Sequence, residues 1–192
     1  MDHGNTELTL YAAQAAPVLE ALQRDGACYS KAAYVQKKYG ESAPIFLTAY
    51  NWFVSQLPRY VPKPEAAEFP YWAFRELYSL DQAGTAGVLK LQVPADKVVL
   101  FDVQDWTKIM QMRYIGCDAA DERAFAKELT ARGLSWNQVM LTDFYPDFKQ
   151  QILNSWQRLF RYHEALLRDE DCGGIRVQAG LWELRREWVE MR

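Results

Sequence analysis

The sequence predicts an α+β fold, in which a mixed or antiparallel sheet and several packed helices form a single compact domain. Segments with helical and with strand periodicity are interspersed along the chain but do not alternate one to one, which disfavours a doubly wound parallel sheet. The chain has 192 residues, a length that fits one domain with one main core. Hydrophobic residues make up 49% of the sequence, close to the globular average, so we expect residues 1–192 to fold as one unit.

The first third of the chain predicts one strand followed by helices. Residues 7–11 are rich in β-favouring side chains and predict an opening strand. A helix should follow at once, with a proline in its first turn and Gly26 directly after its end. Residues 29–38 are predicted to be helical. A further helix should begin at a cap on Ser42 and end near Leu57, because its apolar residues recur three and four positions apart.

The middle of the chain predicts a loop and three strands. Four prolines between residues 58 and 70 are incompatible with regular structure. The aromatic-rich run at 71–78 and the alternating run at 88–93 predict strands. Residues 98–101 are continuously apolar and predict a buried strand, which Asp102 should close by capping the next helix.

The last part of the chain predicts helices and then a final strand. Helices are expected at 103–113, after an N-cap at Asp118, and over 147–168, which would be the longest helix. Residues 175–179 alternate as a strand. After Gly180 the apolar positions change phase, which indicates a bulge or a second short strand.

Charge, cysteine content and hydropathy disfavour several classes of protein. The net charge is −3 and no basic stripe is present, so nucleic-acid binding is not expected. Three widely spaced cysteines do not form a disulfide framework and fit a reducing compartment. The N-terminus lacks the basic start and apolar run of a signal peptide, and the longest uncharged stretch is too short and too polar to span a membrane. We therefore expect a soluble, cytoplasmic protein.

Motifs for common cofactors are missing from the sequence. There is no P-loop pattern and no GxGxxG fingerprint. The two histidines, His3 and His163, are too few for a multi-histidine metal site, and no metal is predicted. His163 lies on the apolar stripe of the predicted 147–168 helix. The favoured interpretation is a half-buried histidine with one partner, and a catalytic base is the alternative.

Three polar residues lie where strands are predicted. Gln14 follows the opening strand and Gln178 lies within the last one. Both amides could bond to the backbone at sheet edges, or they could converge in a ligand cleft if the terminal strands are neighbours. Glu183 lies between Trp182 and Leu184. Its carboxylate is either solvent-facing on an edge strand or directed inward, and the second case would be functional.

Several blocks of sequence resemble a known family. They are Tyr11–Gln14, Ala49–Phe53, Phe69–Phe74, Val98–Asp102 with Trp106, Ser155–Trp156 with Phe160, and Val177–Glu183 with Glu187–Val189. In order and content they resemble the bacterial family called domain of unknown function 3841. Phe74 stands where a second tryptophan is expected, and Phe53 where a methionine is expected. The resemblance implies a fold but no activity.

The layout of elements is also similar to that of ADP-ribosyltransferase-like folds. That similarity implies an NAD site with an early basic or histidine residue and a late glutamate that stabilises an oxocarbenium-like transition state. Here Tyr11 and Gln14 come early, and Gln178 or Glu183 comes late. The opening strand has no arginine or histidine, which departs from the pattern and argues against NAD chemistry.

Three functional hypotheses follow. The favoured one is a binding or regulatory module whose aromatic surface contacts a protein partner. The alternative is a small nucleotide- or NAD-using transferase with Glu183 as the catalytic residue. Its ligand-binding residues would be Tyr11, Gln14, Tyr71, Trp72 and Gln178. The third is an enzyme with a different catalytic set.

Overall fold

The computed structural model describes residues 6–31, 40, 43–81, 83 and 85–190. The strands in this part of the chain are β1 (Glu7–Gln14), β2 (Ala27–Tyr29), β3 (Tyr71–Phe74), β4 (Gly87–Pro94), β5 (Val98–Asp102), β6 (Val177–Leu181) and β7 (Glu183–Arg185). The α-helices are α1 (Ala16–Asp25), α2 (Ala43–Gln56), α3 (Val103–Met110), α4 (Ala119–Ala131), α5 (Trp136–Leu141), α6 (Pro146–Ser155) and α7 (His163–Leu167). None of the described helices is long and apolar enough to cross a bilayer.

The strands form two antiparallel sheets. Five strands lie in the order β4-β1-β3-β6-β5, and β2 pairs with β7 in a separate two-stranded sheet. Only Trp182 separates β6 from β7, so the chain passes from one sheet to the other within a single residue. This architecture confirms the predicted α+β class with an antiparallel sheet. It also confirms the change of phase after Gly180, which produces a second short strand.

The five-stranded sheet has a hydrophobic core on each face. We call the two faces the α1 face and the α2 face, after the helices that contribute to each core. On the α1 face, Leu10 of β1 and Leu100 of β5 pack with Leu22 of α1. On the α2 face, Val99 and Phe101 of β5 pack with residues of α2, α3, α4 and α6. The strict alternation along β5 therefore buries both sides of this strand, as its continuously apolar sequence predicts.

Helix α2 lies close to the sheet because residue 180 has no side chain. A Cβ atom built on Gly180 would lie 2.8 Å from Cζ of Phe53 and 3.2 Å from Cγ1 of Val99. Phe53 is fully buried, and its ring packs against the rings of Trp72 and Phe101 at centroid distances of 5.1 and 5.5 Å. The glycine thus permits the contact on which the aromatic core of the α2 face is built.

Both edges of the five-stranded sheet receive a main-chain contact from outside the sheet. On β5, the backbone N–H of Leu100 donates to Nδ1 of the buried His163 at 3.2 Å. On β4, Lys90 accepts a hydrogen bond from the backbone of Glu190 at 2.9 Å, and Leu91 bridges to Val189. His163 therefore acts as an acceptor for a backbone group, which agrees with the structural interpretation of this residue.

The prediction of one long helix over 147–168 is wrong. The chain forms α6, a 3-10 turn at Trp156–Phe160 and the short α7 instead. The hydroxyl of Ser155 donates to the carbonyl of Ile152 and accepts from the backbone N–H of Ile115. A serine that bonds back to its own helix and also to a neighbouring segment disturbs the helical ladder. Periodicity alone does not reveal this break.

Helix boundaries elsewhere agree with the capping residues in the sequence. Asp102 caps α3 by accepting from the backbone N–H of Gln104, and Asp118 caps α4. The prediction of a helix over 29–38 is wrong at its start, because Tyr29 belongs to β2. The rest of that helix, over 32–38, and the predicted cap at Ser42 lie outside the described residues. The strand expected at 71–78 ends at Phe74, and the sequence pattern does not predict α5.

We expect Gly180→Ala to lower the free energy of unfolding by about 1–3 kcal/mol, because the added methyl group overpacks the contact with Phe53. Urea denaturation followed by tryptophan fluorescence measures this change. The double variant Gly180→Ala/Phe53→Leu should recover part of the loss, since the smaller side chain makes room. Strictly additive effects of the two substitutions would contradict the proposed contact.

Candidate functional site

The sequence-predicted site residues lie on both faces of the five-stranded sheet. Tyr11 pairs with Phe74, and Phe74 pairs with Gln178. Side chains of paired residues share a face, so Tyr11 and Gln178 both lie on the α2 face, to which Trp72 also contributes. Because successive side chains of a strand alternate, Gln14 lies on the opposite face from Tyr11.

Tyr71 also lies on the α1 face. It is buried, and its hydroxyl oxygen is 3.0 Å from Sγ of Cys28 on β2. Gln14 is half-buried at the end of β1, where it pairs with Gly87 of β4. The structure therefore separates Gln14 and Tyr71 from Gln178, and the two glutamines do not converge in one cleft.

Glu183 is directed inward and opens the two-stranded sheet. It pairs with Tyr29 of β2 and is only 6% exposed. Its Oε1 accepts a hydrogen bond from Nε of Arg185 at 2.8 Å. Its Oε2 is buried and has no hydrogen-bond donor among the residues that the structure describes. One half of this carboxylate is therefore held in place, and the other half is unpartnered.

The burial of Glu183 follows from the transition between the two sheets. Trp182 packs into the core of the α2 face, and its indole N–H donates to the carbonyl of Val61 at 3.0 Å. Leu184 packs into the core of the α1 face. In a regular strand, residues 182 and 184 would share a face, so the backbone must rotate between them. This rotation places Glu183 between the two cores.

The groups around Glu183 respond to its charge. The carboxylate raises the pKa of Tyr29, first through its contact with the phenol hydroxyl, which falls short of a regular hydrogen bond to Oε2, with burial and negative charge adding to the effect. The same carboxylate raises the pKa of Arg185 through its hydrogen bond. Arg185 remains 41% exposed and also lies 3.6 Å from the exposed Glu187. The cluster is thus one buried acceptor, one phenol and one partly exposed guanidinium.

Another buried carboxylate shows how unusual the free oxygen of Glu183 is. Asp105 is 1% exposed, but its Oδ2 lies 2.7 Å from Nη2 of Arg161 and its Oδ1 lies 3.3 Å from Nζ of Lys108. Burial raises the pKa of Asp105, and the two cations oppose that effect. Because both oxygens have partners, Asp105 serves to join α3 to the chain beyond α6, and no ligand is needed to explain it.

A model of the family Domain of unknown function (DUF3841) matches residues 9–190. The chain belongs to this family. No curated protein and no solved structure gives a significant match. The DUF3841 match covers both sheets, so Glu183 and Gln178 lie within the family domain. The similarity to ADP-ribosyltransferase-like folds stays a prediction from the layout of the sequence.

Sequence patterns miss two members of the Glu183 cluster. Periodicity places Tyr29 in a predicted helix, although the run 27–29 directly after Gly26 is compatible with a short strand. Arg185 lies two residues after Glu183, a spacing that places both side chains on one side of a strand.

Among the described residues, no group of three or more histidine, cysteine, aspartate or glutamate side chains could hold a metal ion.

We expect Glu183→Gln to lower the pKa of Tyr29 toward the ordinary value of about 10, because the substitution removes the negative charge of the carboxylate beside the phenol. NMR titration of protein with ¹³C-labelled tyrosine rings measures the change. Tyr114 is the internal control, since burial and Asp121 raise its pKa. Equal shifts at both tyrosines would contradict a local effect of Glu183.

Proposed function

We propose that this protein binds a small polar ligand at Glu183. The observation that supports the proposal is the buried Oε2 without a donor among the described residues. A buried acceptor left without a hydrogen bond costs about 1–3 kcal/mol, and few such groups persist in native proteins. A ligand that presents an O–H or N–H group would supply the missing donor.

The ligand class we propose is a nucleotide or NAD, held through ribose hydroxyl groups that donate to Glu183 and without the basic residue that the opening strand lacks. Arg185 binds Oε1 and so fixes the orientation of the carboxylate, while Oε2 stays free for the ligand. Access requires movement of Tyr29, which is half-buried and faces Glu183 across the strand pair. Turning the phenol away would expose Oε2 and would leave the hydrogen bond to Arg185 intact.

The reaction that suits this arrangement is group transfer from a ribose. The bond between C1′ and the base breaks, and the bonding electrons leave with the base. A carboxylate beside the sugar stabilises the positive charge that develops on the ring, as in glycosyl transfer. An acceptor hydroxyl, amine or thiol then attacks C1′ and releases its proton. Glu183 would be the catalytic residue of such a transferase.

A thermal-shift screen tests the proposal with NAD, ADP-ribose, nicotinamide, ATP and GTP. A ligand at about one hundred times its Kd adds about 2.7 kcal/mol to the folded state, which raises Tm by several degrees at this chain length. We expect a shift with wild-type protein and its loss in Glu183→Gln. Release of nicotinamide from NAD, measured by chromatography, tests the transferase step in the same samples.

The matched control for this experiment is Glu187→Gln. Glu187 also contacts Arg185, but its side chain is 70% exposed. The substitution Glu187→Gln should leave both ligand binding and nicotinamide release unchanged. No shift with any of these nucleotides, or an equal shift in wild type and Glu183→Gln, would refute the assignment of Glu183 as the ligand-binding group.

A binding module is the second candidate function, and exposed apolar side chains favour it. Phe144 is 83% exposed and Leu141 is 46% exposed; Leu141 is the last residue of α5, and Phe144 lies in the loop between α5 and α6. Contiguous exposed apolar patches are typical of protein interaction sites, and residues three positions apart in sequence are near enough to share one. The partner that purified protein can test is a second copy of this chain.

If Leu141 and Phe144 form a self-association surface, the mass of the wild-type protein measured by light scattering should increase with protein concentration. Leu141→Ser/Phe144→Ser should remain a monomer across the same range, because the substitutions remove the apolar contact. Tyr78→Ser is the control, since Tyr78 is 77% exposed in a different loop. A constant monomeric mass for the wild type would refute self-association through this surface.

A further inference from the structure

The helical layer covers only part of the α2 face of the five-stranded sheet. Val99 and Phe101 on β5 are fully buried beneath it. On the same face but toward the other edge of the sheet, Thr9 of β1 and Lys90 of β4 are exposed. The sheet therefore continues beyond the described helices on this face, and we call the boundary between its buried and its exposed part the step.

Aromatic side chains lie at this step. Tyr11 and Phe74 are both half-buried and pair directly across β1 and β3. We call the surface formed by these two residues the open strip. Phe74 in turn pairs with Gln178 of β6, so one continuous row crosses three neighbouring strands. With strands about 4.8 Å apart, Tyr11 and Gln178 are separated by roughly 10 Å, with Phe74 between them.

Gln178 lies at the foot of the step and has an unused side-chain amide. The residue is 5% exposed, and no hydrogen bond joins its side chain to another residue in the described ranges. Within the same ranges, the fully buried side-chain atoms without a hydrogen-bond partner belong to Ser79 and Glu183. The amide atoms of Gln178 are not among them, so these atoms keep some solvent-accessible surface. The amide thus combines an unused donor and acceptor with a small remaining solvent-accessible area.

Nearly complete burial of an amide without partners is unfavourable. Mutational data place the cost of burying such a polar group without a hydrogen bond at about 1–3 kcal/mol. An apolar residue at position 178 would avoid this cost, because the neighbouring Phe101 is fully buried on the same face. A polar group that lowers stability in an accessible place is typical of a binding site.

We propose that the open strip binds an uncharged purine ring, whose hydrogen-bonding edge pairs with the amide of Gln178. A glutamine amide can bond to the amino group and N7 of adenine at the same time. Tyr11 and Phe74 supply flat aromatic surface for the ring, and stacking on aromatic side chains contributes about 1–3 kcal/mol per base. This site is separate from Glu183, which lies five residues further along the chain, roughly 15 Å of extended strand away.

The charges at the strip favour a neutral ring over a phosphate. Lys90 is next to Tyr11 in the pairing of β1 with β4, and its ammonium group forms a salt bridge with Glu190 at 2.5 Å. The chain as a whole has a net charge of −3. Phosphate binding depends on cationic side chains that neutralise it, and neither residue of the open strip is cationic.

NMR titration of ¹⁵N-labelled protein with adenosine tests this proposal. We expect saturable shifts at the side-chain amide of Gln178 and at the backbone amides of Tyr11 and Phe74, with a Kd of about 1 mM. Gln178→Leu should weaken binding at least tenfold and still fold, because leucine suits its buried surroundings. Purine riboside, which lacks the amino donor, should bind more weakly than adenosine to the wild type.

A control variant determines whether adenosine binds at the open strip itself. Gln92→Leu removes another glutamine of the sheet, whose side chain accepts from the Thr9 hydroxyl, and this variant should bind adenosine as the wild type does. No shifts at Tyr11, Phe74 and Gln178 up to about 10 mM adenosine would overturn the proposal. Equal affinity in wild type and Gln178→Leu would overturn it as well.

Discussion

The close approach of Phe53 to Gly180 determines how the helical layer is seated on the sheet. The ring of Phe53 lies where any larger residue at position 180 would place its Cβ. Around it, Trp72, Phe101 and Trp106 pack edge-on or tilted at centroid distances between 4.9 and 6.2 Å. These contacts fix α2 and α3 over β5 and β6, while Thr9 of β1 and Lys90 of β4 stay exposed on the same face. One small residue in a central strand thus sets both the core and the boundary of the open strip.

Local signals in the sequence predict the parts of the fold that depend on local chemistry. The buried strand at 98–101, its capping residue Asp102 and the cap at Asp118 agree with the structure because capping and strand burial act over a few residues. Strand β2 escapes prediction because its three residues are stabilised by pairing with β7, more than 150 positions away in sequence. The break in the 147–168 helix escapes prediction because it depends on contacts of Ser155 with Ile115.

The sequence predicts which residues are candidates for the sites, but it does not predict how these residues are arranged in space. Glu183 could face solvent or protein, and the transition between the two sheets, with Trp182 in one core and Leu184 in the other, decides between them. Gln14 and Gln178 are equally plausible partners in sequence, yet they lie on opposite faces, because Gln14 is three positions from Tyr11 and Tyr11 shares its face with Gln178. Glu183 and Gln178 share one property that sequence cannot give, namely burial without sufficient hydrogen bonds. Asp105, with both oxygens paired, shows that burial of a polar group alone carries no functional meaning.

The contacts at the two sheet edges affect how molecules of this protein meet one another. An outer strand with free main-chain groups is a template to which a strand of another molecule can add, and this is a common route to aggregation. Here His163 occupies the N–H of Leu100 on β5, and Glu190 occupies the carbonyl of Lys90 on β4. An incoming strand would have to break these bonds before pairing. These bonds therefore disfavour strand addition at both edges of the five-stranded sheet.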